Sequence, residues 1–255
     1  YIDVNGDGIA DESELREEVT SDAFGQIILT DEFLSHEDNT DDDGNPYQVI
    51  VKGGVNMDSG APNEIELTAP AGYSVINPLS TLVQEIASSL EVEVDTTGMS
   101  EEEIVLANQA AKDEAKLAAE SSLADTLGII LEEGGSLGSY DPQSDNNVAN
   151  RVIATQIATV LAVASSTETT GSEGAETAAL ASLANTISSA EGAVTLDSST
   201  MGEVLDGVVD DTAALDALNL AVDAMEAVKN SEDSDAAFAA IVQAQAKAID
   251  TVAPQ

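Results

Sequence analysis

Two hydrophobic periodicities divide the chain. Up to about residue 70, apolar residues come in short runs bounded by Gly, Asn and Asp. Gln26-Ile27-Ile28-Leu29 and Tyr47-Gln48-Val49-Ile50-Val51 have the length and composition of strands, and Glu64-Ile65-Glu66-Leu67-Thr68 alternates as a half-buried strand does. Beyond residue 70 the spacing becomes helical. Asn77-Pro78 reads as an N-cap with Pro at the first helical position, followed by Leu79, Leu82, Val83, Ile86 and Leu90. Ser100-Glu101-Glu102-Glu103 is a capping box, and its helix is expected to run to Leu127, with Gly128 as the stop.

Asp141-Pro142 repeats the cap-then-Pro device ahead of a stripe of Val152, Ile153, Gln156, Ile157, Val160 and Leu161. A polar loop follows over Thr169 to Gly174, then Leu180, Leu183, Ala184 and Ile187. Leu215, Leu218, Val222 and Met225 have the 3-4-3 spacing of a narrow helix seam, and Phe238, Ile241, Val242, Gln245 and Ile249 mark a last helix. About six amphipathic helices joined by short loops read as a bundle. No fixed-period repeat supports a solenoid.

Composition changes at the same point. Residues 1–70 hold 18 of the 49 acids and four of the seven aromatics, whereas residues 71–255 hold 35 Ala. Ala is the best helix former and permits close helix approach. The expected fold class is therefore α+β: a small calcium-binding β-rich part over 1–72, then an Ala-rich helical bundle over 73–255. The bundle, taken as residues 75–252, is expected to fold without calcium, because its caps and stripes use none.

Charge narrows the classes of partner. With 49 Asp+Glu against 7 Lys+Arg, the net charge is −42. Phosphate backbones need clustered cations, so nucleic acid is not an expected partner, and an anionic membrane surface would repel the chain. No unbroken stretch of 18 apolar residues occurs, so membrane insertion is not expected. Cysteine is absent, which fits a secreted protein stabilised by metal or a chance absence in the cytosol. Acidity favours a salty or calcium-rich setting, where cations screen a self-repelling surface. The chain opens at Tyr1 on Ile-Asp-Val, as if in mid-element, and reads as a piece of something longer.

One motif carries chemistry. Residues 3–14, Asp-Val-Asn-Gly-Asp-Gly-Ile-Ala-Asp-Glu-Ser-Glu, match a twelve-residue calcium loop. Asp3, Asn5, Asp7 and Asp11 supply side-chain oxygens, Ile9 its backbone carbonyl, and Glu14 closes the shell with both oxygens. Gly8 falls where the loop turns sharply. The bland alternative is a solvated acidic turn. A helix–loop–helix hand would need an incoming helix, and only two residues precede Asp3. The loop leads instead to Ser21-Asp22-Ala23-Phe24-Gly25-Gln26-Ile27, a turn and then a strand.

Residues 1–52 resemble the calcium-loop β-sandwich modules of bacterial surface proteins, the SD-repeat B-type and collagen-adhesin B-type families. Residues 53–165 resemble segments of very large secreted calcium-binding proteins of aquatic bacteria, RTX-type and adhesin-like. The resemblance is carried by Gly54-Val55-Asn56-Met57-Asp58-Ser59-Gly60, Leu67-Thr68-Ala69-Pro70-Ala71-Gly72, Val75-Ile76-Asn77-Pro78-Leu79-Ser80-Thr81-Leu82, Leu127-Gly128-Ile129 and Tyr140-Asp141-Pro142. It implies a secreted or cell-surface structural module and no particular activity.

The remaining constellations are weak. The acidic loop Glu37 to Asn45 places Asp41, Asp43 and Asn45 alternately, but no Glu closes it, and a solvated loop is the simpler reading. His36, the only histidine, reads as a surface residue. No nucleophile elbow, thiol or phosphate loop accompanies it, and acid pairs such as Glu132-Glu133 and Asp210-Asp211 arise freely at this composition. No enzyme is expected. The expectation is a calcium-stabilised extracellular structural or adhesive module of a surface layer, filament or large adhesin. It would self-associate through an open edge of its β-rich end or contact other surface proteins. The alternative is a dockerin-like, calcium-dependent docking module, although a dockerin carries two loops, each followed by a helix. A hydrolase with structural calcium is a third class.

Overall fold

The computed structural model describes residues 1–4, 15, 29, 33, 36, 39–40, 47–53, 65–92, 94–142, 146–167 and 174–252. The chain is mixed and mostly helical. Among the described residues, strands β1 (Ile2–Asp3), β2 (Gln48–Lys52) and β3 (Glu66–Ala69) precede helices α1 (Pro78–Leu90), α2 (Glu101–Leu127), α3 (Val148–Ser166), α4 (Ala175–Ser188), α5 (Ser198–Val204), α6 (Thr212–Val228) and α7 (Ser234–Val252).

The strands form one antiparallel sheet in the order β1-β2-β3. Ile2 faces Val49, and Val49, Ile50, Val51 and Lys52 face Ala69, Thr68, Leu67 and Glu66. The last pair is a cross-strand ion pair of 3.0 Å between Lys52 Nζ and Glu66 Oε2. Strand β2 falls one residue beyond its expected span and β3 starts two residues later than expected. Of the expected strand at Gln26–Leu29, only Leu29 is described, and it is buried.

Local chemistry sets the helix ends. Asn77 accepts from the Leu79 and Ser80 amides while the Ser80 hydroxyl accepts from the Asn77 amide, so two otherwise orphaned donors are met. Ser100 and Glu103 form the same reciprocal box at α2. Gly128 ends α2 in the left-handed region at φ 68°, where a Cβ would be strained.

Helix α3 departs from expectation. Its cap is Asn147, which accepts from the Ala149 and Asn150 amides, and not Asp141. Asp141-Pro142 lies too far ahead to cap it, since α3 begins at Val148; the Tyr140 carbonyl, between the 3-10 turn Leu137–Ser139 and that pair, instead accepts from Asn77 Nδ2 at the start of α1. Helix α5 was not expected. Seven residues show no periodicity, and only the Asp197 cap, accepting from Thr200, could have signalled it. The polar stretch 168–173 lies outside the described residues.

One hydrophobic cluster joins sheet and helices. Ile2, Val49, Ile65, Ala69 and Tyr73 belong with Leu79, Leu82, Val83, Ile86, Leu123, Ile153, Ile157, Leu161, Leu183 and Leu218, so the core is continuous across residues 72–73. A second, smaller cluster lies between α3, α6 and α7: Val148, Val152, Ala221, Met225, Ala237, Ile241, Ala244 and Ala248. On α7 the buried positions are mostly Ala, while Phe238 is half-buried with Arg151 stacked 4.1 Å over its ring. Small side chains let α7 approach α6 and α3 closely, and this turns the Ala face inward.

Candidate calcium loop and its strand–helix joint

The structure places the first candidate ligand and not the others. Asp3 ends β1 opposite Gln48 and is 2% exposed. Asn5, Asp7, Ile9, Asp11 and Glu14 lie outside the described residues. No group of three or more His, Asp or Glu is placed to hold a metal among the described residues. As a donor set, four carboxylates, one amide and one carbonyl suit a hard cation that takes oxygen ligands.

The strand feeding the loop is held firmly. The Tyr1 ammonium donates to the Ile50 carbonyl at 2.9 Å, and the Ile50 amide donates to the Tyr1 carbonyl at 3.1 Å. Among the described residues both sides of the sheet are covered. Ile2 and Asp3 are both 2% exposed. On the β3 side, the Glu66 amide donates to Glu176 Oε1 at 2.8 Å, the Thr68 amide to Thr81 Oγ1 at 3.0 Å, and the Thr68 carbonyl lies 2.8 Å from Ser80 Oγ. Side chains from α4 and α1 thus occupy the backbone groups to which another chain would have paired.

Of the segments that carry the second resemblance, those at Thr68, Asn77 to Thr81 and Tyr140 meet at one joint, while residues 54–60 lie outside the described residues. Ser80 and Thr81, in the first turn of α1, clamp Thr68 in β3. Asn77 reaches the Tyr140 carbonyl. Asn150, fully buried in α3, accepts from the Ile130 amide at 3.1 Å and donates to the Ile130 carbonyl at 2.7 Å and to the Tyr140 hydroxyl at 2.8 Å. A second knot lies alongside. Tyr73 donates to Glu120, and Ser136 Oγ lies 3.2 Å from the same carboxylate while accepting from the Gly138 amide at 3.0 Å. Burial first, and then the bond to Glu120 and its charge, hold the Tyr73 phenol well above its ordinary range, so it remains a neutral donor. Every polar group of these two knots named here is matched, which is the chemistry of a latch.

Other candidate groups have structural places. His36 is exposed, and Thr40 Oγ1 donates to its carbonyl. Asn39 is buried, donates from Nδ2 to the Phe33 carbonyl at 2.9 Å, and accepts the Tyr47 amide. The acids of the 37–45 loop lie outside the described residues. Asp211 caps α6, and Glu132-Glu133 is exposed.

The expectation that no segment could cross a membrane needs correction. By length and composition α3 is long and apolar enough, because Asn150, Arg151, Thr155, Gln156 and Thr159 interrupt its apolar runs without lowering its average far. In this fold 72% of that stretch is buried. Two buried amides lie in α3: Gln156, expected within the apolar stripe, and Asn150, which the expectations did not single out. Asn150 ties α3 to the α2–α3 connection. Gln156, fully buried, donates from Nε2 to Glu226 Oε2 at 3.4 Å, while its Oε1 is buried with no hydrogen-bond partner. A polar residue inside an apolar stripe was the available signal for both.

Comparison with family models, with curated proteins and with solved structures gives no match.

Proposed function

We propose that the protein is a calcium-stabilised structural or adhesive module that works outside the cell or on its surface, in a surface layer, filament or large adhesin, and that it is not an enzyme. The observation that carries this reading is the complete oxygen-ligand spacing of Asp3, Asn5, Asp7, Ile9, Asp11 and Glu14 around Gly8. Four carboxylates brought close repel one another until a cation neutralises them, so binding orders the loop and stabilises the folded state by mass action. Two features support the reading. Position 1 of the loop lies at the end of β1, a buried strand paired with β2. The polar groups at the strand–helix joint are matched to one another rather than directed at a substrate.

The partners proposed are further copies of the chain or other surface proteins, by a route other than pairing on the described sheet edges. Neither nucleic acid nor insertion into a membrane is part of the proposal. The test is thermal unfolding of the whole chain in calcium and in chelator at matched ionic strength. Calcium raises the Tm, and Glu14→Ala lowers it to the chelated value. An unchanged melt in chelator overturns the reading.

A further inference from the structure

We propose that the N-terminal half of α2, with the end of α1 and the segment between them, is a docking surface for a basic, apolar-faced helix of another protein. Helix α2 has 27 residues against 13 in α1. No residue from 102 to 114 is buried, whereas Ala115, Ala119, Leu123, Thr126 and Leu127 are. At about 1.5 Å per residue, some 20 Å of helix therefore carries no fully buried side chain, with only Ile104, Ala107, Gln109, Ala111 and Asp113 half-buried. A solvated helix of that length is marginal alone and is ordinarily polar all round.

This stretch instead carries Ile104-Val105-Leu106, with Val105 and Leu106 exposed and Ile104 half-buried. Of the ten large apolar side chains exposed among the described residues, six fall between 90 and 117: Leu90, Val92, Met99, Val105, Leu106 and Leu117. Val92 is 77% and Leu106 64% exposed. Leu106 and Leu117 are three helical turns apart and share a face, roughly opposite Ala115 and Ala119. Such a concentration marks an interaction surface rather than scattered exposure.

Charge selects the occupant. Residues 90–117 carry eight acids and two lysines, and Lys116 is already paired with Asp113 at 3.2 Å. A second copy would bring the same sign against it. A partner helix with an apolar stripe flanked by Lys or Arg brings complementary charge and covers the exposed leucines. The surface uses none of the loop residues, so it stands or falls apart from the calcium reading.

The test uses the whole chain and two synthetic peptides of identical Leu/Lys composition and about five helical turns, one patterned as an amphipathic helix and one scrambled. Binding is read by fluorescence anisotropy near 0.15 M salt. The patterned peptide should bind at least about tenfold more tightly than the scrambled one. Val105→Gln with Leu106→Gln should erase that difference, and Leu220→Gln, at an exposed position on α6, should leave it intact. Circular dichroism checks that each variant keeps its helix. Equal binding of the two peptides, or an unchanged preference in the double variant, overturns the proposal. So does a dimer seen by sedimentation that disappears with the same two substitutions, because the occupant is then a second copy.

Discussion

Two residues show how closely the interior is specified. A Cβ on Gly138 would lie 2.8 Å and 2.9 Å from the Tyr73 ring, which is itself held by Glu120. Gly138→Ala must therefore move the ring or the 3-10 turn, and denaturant unfolding should show a loss of about 1–3 kcal/mol. Asn150 is the second. Asn150→Ala removes the buried partner of the Ile130 amide and carbonyl and of the Tyr140 hydroxyl. Ile130 is exposed and Tyr140 half-buried, so water replaces part of the loss, and the total cost should be about 1–3 kcal/mol. Tyr140→Phe takes away the hydroxyl that accepts from Asn150 and leaves the Ile130 bonds in place, so it should cost about 1 kcal/mol. Comparable losses in the two variants would mean that Asn150 is not the centre of the knot.

Among the elements, α1 and α2 share one capping device in different surroundings. Asn77 is buried and also donates to the Tyr140 carbonyl, whereas the Ser100 box is solvent-exposed. Loss of an N-cap costs about 1 kcal/mol. Ser100→Ala should fall at or below that figure, and Asn77→Ala clearly above it, when the two are compared by unfolding midpoint. An inverted order would show that the Asn77–Tyr140 bond contributes nothing to the joint.

Across the whole molecule, charge and the shared core govern behaviour. A net charge of −42 makes the folded surface repel itself. The Tm should rise with NaCl, and calcium at matched ionic strength should raise it further, the second increment disappearing in Glu14→Ala. Alkaline behaviour follows from Tyr73. Its phenol is held neutral in the folded state above the value it has unfolded, so its contribution is complete below about pH 10 and is lost as pH rises further. Tyr73→Phe should make the alkaline fall in stability shallower, as measured by unfolding at a series of pH values.

The fragment 75–252 should be mostly helical in chelator by circular dichroism. Its Tm should lie below that of the whole chain, because it lacks the Ile2, Val49, Ile65, Ala69 and Tyr73 contributions to the common cluster. An equal Tm would show that the sheet adds nothing to the helices.

What was legible in the sequence was local. Asn77, Ser100 and Gly128 announce helix ends because a cap or a left-handed stop acts within a few residues. The stripe from Val152 to Leu161 announces a buried face because helical geometry alone aligns it. The ligand spacing of residues 3–14 is also a local pattern, of which the structure places only Asp3 among the ligands. Tertiary contacts decided the rest. Helix α3 begins at Val148 under the Asn147 cap, and the segment at Asp141-Pro142 follows a Tyr140 carbonyl bound to Asn77 at the start of α1. The outer backbone of β3 is covered because Glu176, Thr81 and Ser80, well apart from it in sequence, satisfy its groups. The larger cluster took in both sheet and helices because apolar strands and helices bury more surface together than apart. Long-range pairing of this kind leaves no periodic trace along the chain: each partner looks ordinary until the fold brings them within hydrogen-bonding distance.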